Sequence, residues 1–279
     1  MKFAVKEKVV IITGASSGIG AETAIELARR GSLVVLAARN ESRLADVTAQ
    51  CQVYSESTYV VTDITKPEEC KRLIEQTVEI HGRIDVLISN AGLSMRALAE
   101  DCTLDVYHKL MDVNFFGGVY CITQALPHLL ASRGMIVGIS SVSGFKALPG
   151  RSGYAAGKSA INGFLEAIKI ENLKTGLHVL TVCPGFTASN IRVNALDKDG
   201  HSQGFTPRDE KKMMSAEEVA KHVVKAIENK KNFLVLTRVG KLILWLNKFF
   251  PNLVSRLIFN DMAKEPNSPL RMQPIKPNS

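Results

Sequence analysis

Three features of this 279-residue sequence predict an α/β fold built on a doubly wound parallel sheet. Short apolar runs alternate with amphipathic stretches as far as about residue 183. Each strand-helix-strand repeat needs a right-handed crossover, which makes neighbouring strands parallel and covers both faces of the sheet with helices. A glycine-rich turn stands at the first strand-to-helix junction, on the edge where such sheets bind their ligands.

The strands are expected at 9–13, 33–38, 59–62, 86–88, 135–139 and 178–182, with a seventh at 233–236. Helical periodicity begins near Ile19, Ser42, Pro67, Leu104 and Tyr154, and the last two patterns run to about 125 and 172. A further helix over 216–229 opens at Ser215 with Glu218 three residues on, the spacing of a capping box. Between Pro184 and that helix, residues 187–214 are polar and contain Gly200, Gly204 and Pro207, so they read as a mobile flap. The organisation is then a catalytic domain over 1–239, an amphipathic helical extension over 240–264, and a proline-rich, disordered tail over 265–279.

With 46% apolar and 22% charged residues, the composition is that of a soluble globular protein with a sizeable core. The five cysteines are scattered and form no C-x-x-C pair, which argues against a disulfide framework and for a reducing compartment. Neither they nor the six histidines show metal-ligand spacing, so no metal is expected. The first residues lead straight into a strand without a signal-peptide core, and no run of about twenty apolar residues follows; a cytoplasmic protein is expected. From Lys241 onward six Lys/Arg stand against two acidic residues, half of the net charge of +8. No basic recognition helix or aromatic stacking run accompanies that charge, which excludes a nucleic-acid partner.

In the turn Thr13-Gly14-Ala15-Ser16-Ser17-Gly18-Ile19-Gly20, glycines permit a tight bend and let backbone N–H groups approach a pyrophosphate. The helix starting near Ile19 offers that anion its positive end. The second strand ends in Ala38-Arg39, with no acidic residue to grip a ribose hydroxyl. A guanidinium there suits a 2′-phosphate, so the expected cofactor is NADP(H), with Ser16 or Ser17 adding a hydroxyl contact. Asp63-Ile64 and Asn90-Ala91-Gly92 end the third and fourth strands. Asp63 is placed to accept from the adenine amino group, and Asn90 to fix the central strand or touch the cofactor; each equally fits a strand-end turn.

Tyr154 and Lys158 stand four apart on one helix face. A phenol with a pKa near 10 is a poor acid or base at neutral pH, and a neighbouring ammonium would favour its phenolate. That spacing alone is unspecific. Together, however, the glycine loop, Asn90-Ala91-Gly92, Asn114, Ser140-Ser141, Tyr154-x-x-x-Lys158 and Pro184-Gly185 resemble the motif set of the short-chain dehydrogenase/reductase superfamily, in order, over roughly residues 7–236. The resemblance implies a Rossmann-type sheet of about seven strands and an oxidoreductase interconverting a ketone or aldehyde and an alcohol. It implies Tyr154 as general acid/base and Lys158 as the group that lowers its pKa and holds the nicotinamide ribose. Ser141 would orient the carbonyl, Asn114 would hold a proton-relaying water, and Pro184, Gly185 and Thr187 would border the nicotinamide. A homodimer or homotetramer through the helices over 104–125 and 154–172 also follows from it.

Substrate identity should lie in 93–99, 143–153 and 186–214, which are mostly apolar apart from Arg96, Lys146 and Arg151 and suit a lipophilic carbonyl or alcohol. Residues 240–264 read as two amphipathic helices broken at Pro251, rich in Leu, Ile, Phe and Trp with Lys241, Lys248 and Arg256 between. Three fates are open to them: packing beside the pocket, an oligomer interface, or peripheral contact with a membrane surface. This layout is similar to the membrane-associated steroid, retinol and lipid enzymes of the superfamily. The rival functions are an NADPH-binding sensor or scaffold, or a peripheral lipid-binding protein, in either case without turnover.

Overall fold

The apolar runs form β1 (Val9–Thr13), β2 (Leu33–Ala38), β3 (Ser57–Val61), β4 (Val86–Ser89), β5 (Met135–Ile139), β6 (His178–Cys183) and β7 (Phe233–Val235). This is a computed structural model that describes residues 2–188, 190–210 and 213–270. The strands make one sheet in the order β3-β2-β1-β4-β5-β6-β7, and every pairing in it is parallel. The strand order reverses between β1 and β4, which opens a crevice at their carboxyl ends.

Strand alternation sorts the core into two layers. Val10, Ile12, Leu36, Val137 and Leu180 face α1 (Gly18–Arg29), α2 (Glu41–Gln52) and α7 (Ala216–Glu228). Ile11, Val35, Leu87, Ile136 and Val179 face α3 (Pro67–His81), α5 (Gly117–Ala131) and α6 (Ser152–Glu171). Residues such as Ile11, Ile12, Leu27 and Leu87 are wholly buried, and each contributes about 1.5–3 kcal/mol. The capping box at the start of α7 is present, with Ser215 Oγ accepting from Glu218 N at 3.1 Å and Glu218 returning a carboxylate to Ser215 N at 2.9 Å.

The single helix expected over 104–125 is instead α4 (Leu104–Met111), a π-helical turn over Asp112–Phe116, and α5. The wider turn points Asn114 at the backbone of Leu93, where Oδ1 accepts from the amide (3.0 Å) and Nδ2 donates to the carbonyl (2.7 Å). Gly117 and Gly118 follow because Ile64 and Ile161 press on the helix there.

The described residues of 187–214 are irregular but tied down, through bridges from Met95 to Leu196 and Thr187 to Met214 and an ion pair from Arg192 to Glu210 at 2.7 Å. The extension forms α8 (Arg238–Phe249) and α9 (Pro251–Met262), which turn back on each other at Pro251. Of the tail expected to be disordered, residues 265–270 are folded back on the body. Glu265 is nearly buried on Arg208, and Leu270 packs near Val254 and Ile258. The remainder of that tail, 271–279, lies outside the described residues.

Candidate active site

The crevice between β1 and β4 widens into a cleft of about 1910 Å³ running from Arg39 to the α8–α9 hairpin. All the residues expected to be catalytic or to bind the cofactor line it except Gly20 and Asn114. Those two act from behind its wall. A Cβ at Gly20 would strike the Gly14 carbonyl and Asn90 Nδ2, and one at Gly14 would lie 2.8 Å from Ala91 Cα. Gly14 and Gly18 also take positive φ (67° and 57°), which glycine alone adopts without strain. The loop is therefore drawn tightly against β4. Asn90 fastens it, donating from Nδ2 to Thr13 O (2.9 Å) and Gly14 O (3.2 Å).

The loop delivers the start of α1 to the cleft. Its cap residue, Ser17, makes no side-chain capping bond, and the first turn of α1 holds no acidic residue. Acidic residues stand in the first turns of α2, α3, α4 and α7, while α5, α6, α8 and α9 lack them as α1 does. A first turn with uncapped N–H groups and no carboxylate is suited to an external anion. Arg39 is exposed on the wall beside Ser16 and Ser17, and Arg43 from the first turn of α2 joins it. Arg43 was not legible from the sequence, because only the turn at Asn40, whose Oδ1 accepts from Arg43 N, brings it round. Asp63 is engaged by its own turn, accepting from Thr65 N (3.1 Å) and Oγ1 (2.8 Å). Burial pushes its carboxyl up, but the Thr65 hydrogen bonds and the Arg39 charge outweigh that and hold it below the usual range.

At the other end of the cleft, β5 presents Ser141 and α6 presents Tyr154 and Lys158. Ser141 caps a short 3₁₀ turn, accepting from Ser143 N at 3.1 Å. Lys158 is buried, donates from Nζ to Ile139 O at 2.8 Å, and lies 6.0 Å from the centre of the Tyr154 ring. Gly157 lets the helix approach the π-helical turn, since a Cβ there would lie 2.8 Å from that of Asn114. A Cβ on Gly92 would lie 3.2 Å from Asn114 Oδ1 and 3.3 Å from Lys158 Nζ, so both polar groups reach the backbone after β4.

Burial dominates the electrostatics of this end of the cleft. Burial raises the Tyr154 phenol above its ordinary value, while hydrogen bonding with Ser141 and the Arg151 charge pull it part of the way back. Burial also pushes the Lys158 ammonium down, to about 8. Both groups occupy the same desolvated corner, which disfavours either charge. Behind them Cys183 is also buried, and its thiol is pushed up to about 12.

The chain matches the short chain dehydrogenase family over residues 8–200. It is 32% identical to dehydrogenase/reductase SDR family member 7B of Mus musculus, over 94% of this chain and 84% of that one. It is 36% identical to 11-beta-hydroxysteroid dehydrogenase-like 4A of Arabidopsis thaliana, over 90% and 83%. An alcohol dehydrogenase from Thermococcus sibiricus, solved with 5-hydroxy-NADP, superposes with a TM-score of 0.72 at 25% identity, over 84% of this chain and 97% of that one. Fold and relatives together define an oxidoreductase acting on CH–OH groups. The chain belongs to the short-chain dehydrogenase/reductase superfamily, on the side of its steroid- and retinol-dehydrogenase-like members.

Proposed function

We propose that this protein is an NADP(H)-dependent carbonyl reductase or alcohol dehydrogenase for a lipophilic substrate, with Tyr154 as general acid/base. The observation that carries the reading is the single cleft that joins the uncapped α1 turn and Arg39 to Ser141, Tyr154 and Lys158. Gly14, Ser16, Ser17, Gly18 and Ile19 would hold the pyrophosphate, and Arg39 with Arg43 the 2′-phosphate. Asp63, Ile64, Asn90, Ala91 and Gly92 would flank the adenosine side, and Pro184, Gly185 and Thr187 the nicotinamide.

When bound, the nicotinamide supplies or accepts the hydride. Ser141 orients the carbonyl oxygen toward the Tyr154 hydroxyl, which gives up its proton as the oxygen gains charge. The same phenol gives up its proton in reduction and, as phenolate, takes the alcohol proton in oxidation. Lys158 stabilises the phenolate left behind, and Asn114 holds the loop after β4 against it.

Tyr154→Phe should lower turnover by about 10²–10⁴-fold while NADPH still binds. Retained turnover would remove the tyrosine from the mechanism, and no turnover in the wild type with any lipophilic ketone would leave the sensor reading. NADPH should bind more tightly than NADH, and Arg39→Ala should reduce that preference by about 10–100-fold. Equal binding of NADH by the wild type would overturn the cofactor assignment.

A second observation favours peripheral contact with a lipid surface. Leu242 and Leu257 line the cleft, yet each is 54% exposed, so the cleft opens onto the apolar side of the hairpin. Among the described residues no helix is long and apolar enough to cross a membrane. A cytoplasmic protein resting on a membrane fits these features and the five free thiols. Exposed Phe116, with Tyr120 stacked beside it at 6.1 Å, offers a surface for a homodimer or homotetramer, which sedimentation would test.

A further inference from the structure

Around the inner mouth of the cleft stand arginines that the proposed chemistry does not use. Arg96 donates to Pro266 O at 2.6 Å and lies 3.7 Å from the Glu265 carboxylate. Arg208 pairs with Glu265 at 2.6 Å and Asp261 at 2.9 Å, and its guanidinium lies over Phe186 at 4.0 Å. Arg192 pairs with Glu210 at 2.7 Å. Each of these has a carboxylate. Arg151 has none: its guanidinium donates to the adjacent Gly150 carbonyl at 3.1 Å, and among the described residues it enters no ion pair. It nevertheless lines the cleft together with Tyr154, one turn before it on the chain.

A cation partly withdrawn from water without a counter-ion is costly, and the site shows that cost. Burial pushes Arg151 down to about 10; Glu265 opposes this, while Arg96 and Arg208 add to it. One carboxylate, Glu265, pairs with Arg96 and Arg208, with only the exposed Asp261 to help, and leaves Arg151 without an ion pair. Leu148, Ile243, Leu246, Val254, Ile258 and Met262 cluster to give the cleft an apolar side here. An apolar channel ending at an unpaired guanidinium beside the reacting tyrosine is shaped for an amphiphile.

We propose that Arg151 is the anion-recognising residue of the substrate pocket, and that the substrate is a long-chain ketone or alcohol with a carboxylate or phosphate a few bonds from the reacting carbon. A guanidinium matches either oxyanion with two parallel hydrogen bonds. This rests on the enzymatic reading above and names the substrate class of that same cleft.

The test measures binding of octanoate, octyl phosphate and 1-octanol by calorimetry, to the full chain with and without saturating NADPH. In the wild type at least one anion should bind about 10–100-fold more tightly than octanol. The stronger of the two identifies the oxyanion. Arg151→Gln should erase that preference while octanol affinity changes less than about threefold, and Arg151→Lys should keep part of it. Unchanged octanol binding in the variants shows that the pocket is intact. Wild-type affinity equal for octanol and both anions would overturn the proposal, as would an anion preference that survives Arg151→Gln. NADPH binding without anion preference leaves the enzymatic reading standing and this inference defeated. Anion preference without NADPH binding does the reverse.

Discussion

Helices α7 and α8 carry similar amphipathic sequences and meet different fates. In α7 the apolar stripe Val219, Val223, Val224 and Ile227 is wholly buried beneath the sheet. In α8 only Gly240 is buried, and Leu242, Trp245 and Phe249 are each more than half exposed. Its partner α9 is intermediate, burying Val254, Ile258 and Met262 while leaving Leu253 and Leu257 about half exposed. An apolar stripe of helical period shows that one face seeks cover, but not what provides it. In the body the sheet provides it; in the hairpin the protein supplies only part.

The contrast would break most visibly in the body. Leu165 on α6 is wholly buried and packs against Gly138 of β5. Leu165→Ala should cost about 2–5 kcal/mol in urea unfolding, since the sheet behind it cannot collapse into the space. A loss below about 1 kcal/mol would mean the body is as loosely covered as the hairpin.

The next effect comes from the buried ammonium. Lys158 is pushed by burial from the ordinary 10.5 down to about 8, so the folded chain releases this proton at lower pH than the unfolded chain. Between those values the unfolded state binds more protons, and the stability contribution of Lys158 rises with pH; below about 8 the whole penalty applies. Relative to Lys158→Met, the wild type should gain about 1–3 kcal/mol between pH 8 and 10. A flat difference would place Lys158 in contact with solvent.

Smaller again is the clasp between flap and hairpin. Arg208→Ala removes the pairs to Glu265 and Asp261. It should lower global stability by about 1 kcal/mol or less while speeding proteolysis within 187–214. No change in cleavage would mean the hairpin holds the flap by packing alone.

What the sequence revealed follows the same division. Strand ends in the body lie within two residues of expectation, because strands buried on both faces leave an unbroken apolar run flanked by turn residues. The expected cleft residues from Gly14 to Thr187 were legible because they stand at or just past strand ends or on the first turns of α1 and α6, which Arg43 on α2 does not. The π-helical turn at Asn114 was hidden, since one extra residue per turn scarcely disturbs the periodicity. The arginine cluster was hidden for another reason. Arg96, Arg151, Arg208 and Glu265 come from four separate segments, and only the return of α9 over the cleft brings them together.

The smallest effect on folding carries the largest consequence for the hairpin. Trp245 and Phe249 lie one turn apart on α8 with ring centres 5.6 Å apart, 57% and 63% exposed, and Phe250 and Leu253 continue that surface into α9. Lys241, Lys248 and Arg256 stand along the same two helices. Removing exposed apolar groups takes nothing from the core, so Trp245→Ser and Phe249→Ser should each change stability by less than about 0.5 kcal/mol. If lipid is what covers this face, the double variant should fail to float with vesicles containing anionic phospholipid, while the wild type floats and releases as salt is raised. If a second copy of the chain covers it, the variant should instead shift the sedimentation of the protein without lipid. Flotation of the variant equal to wild type would remove the membrane from the account and leave α8 as exposed as it stands.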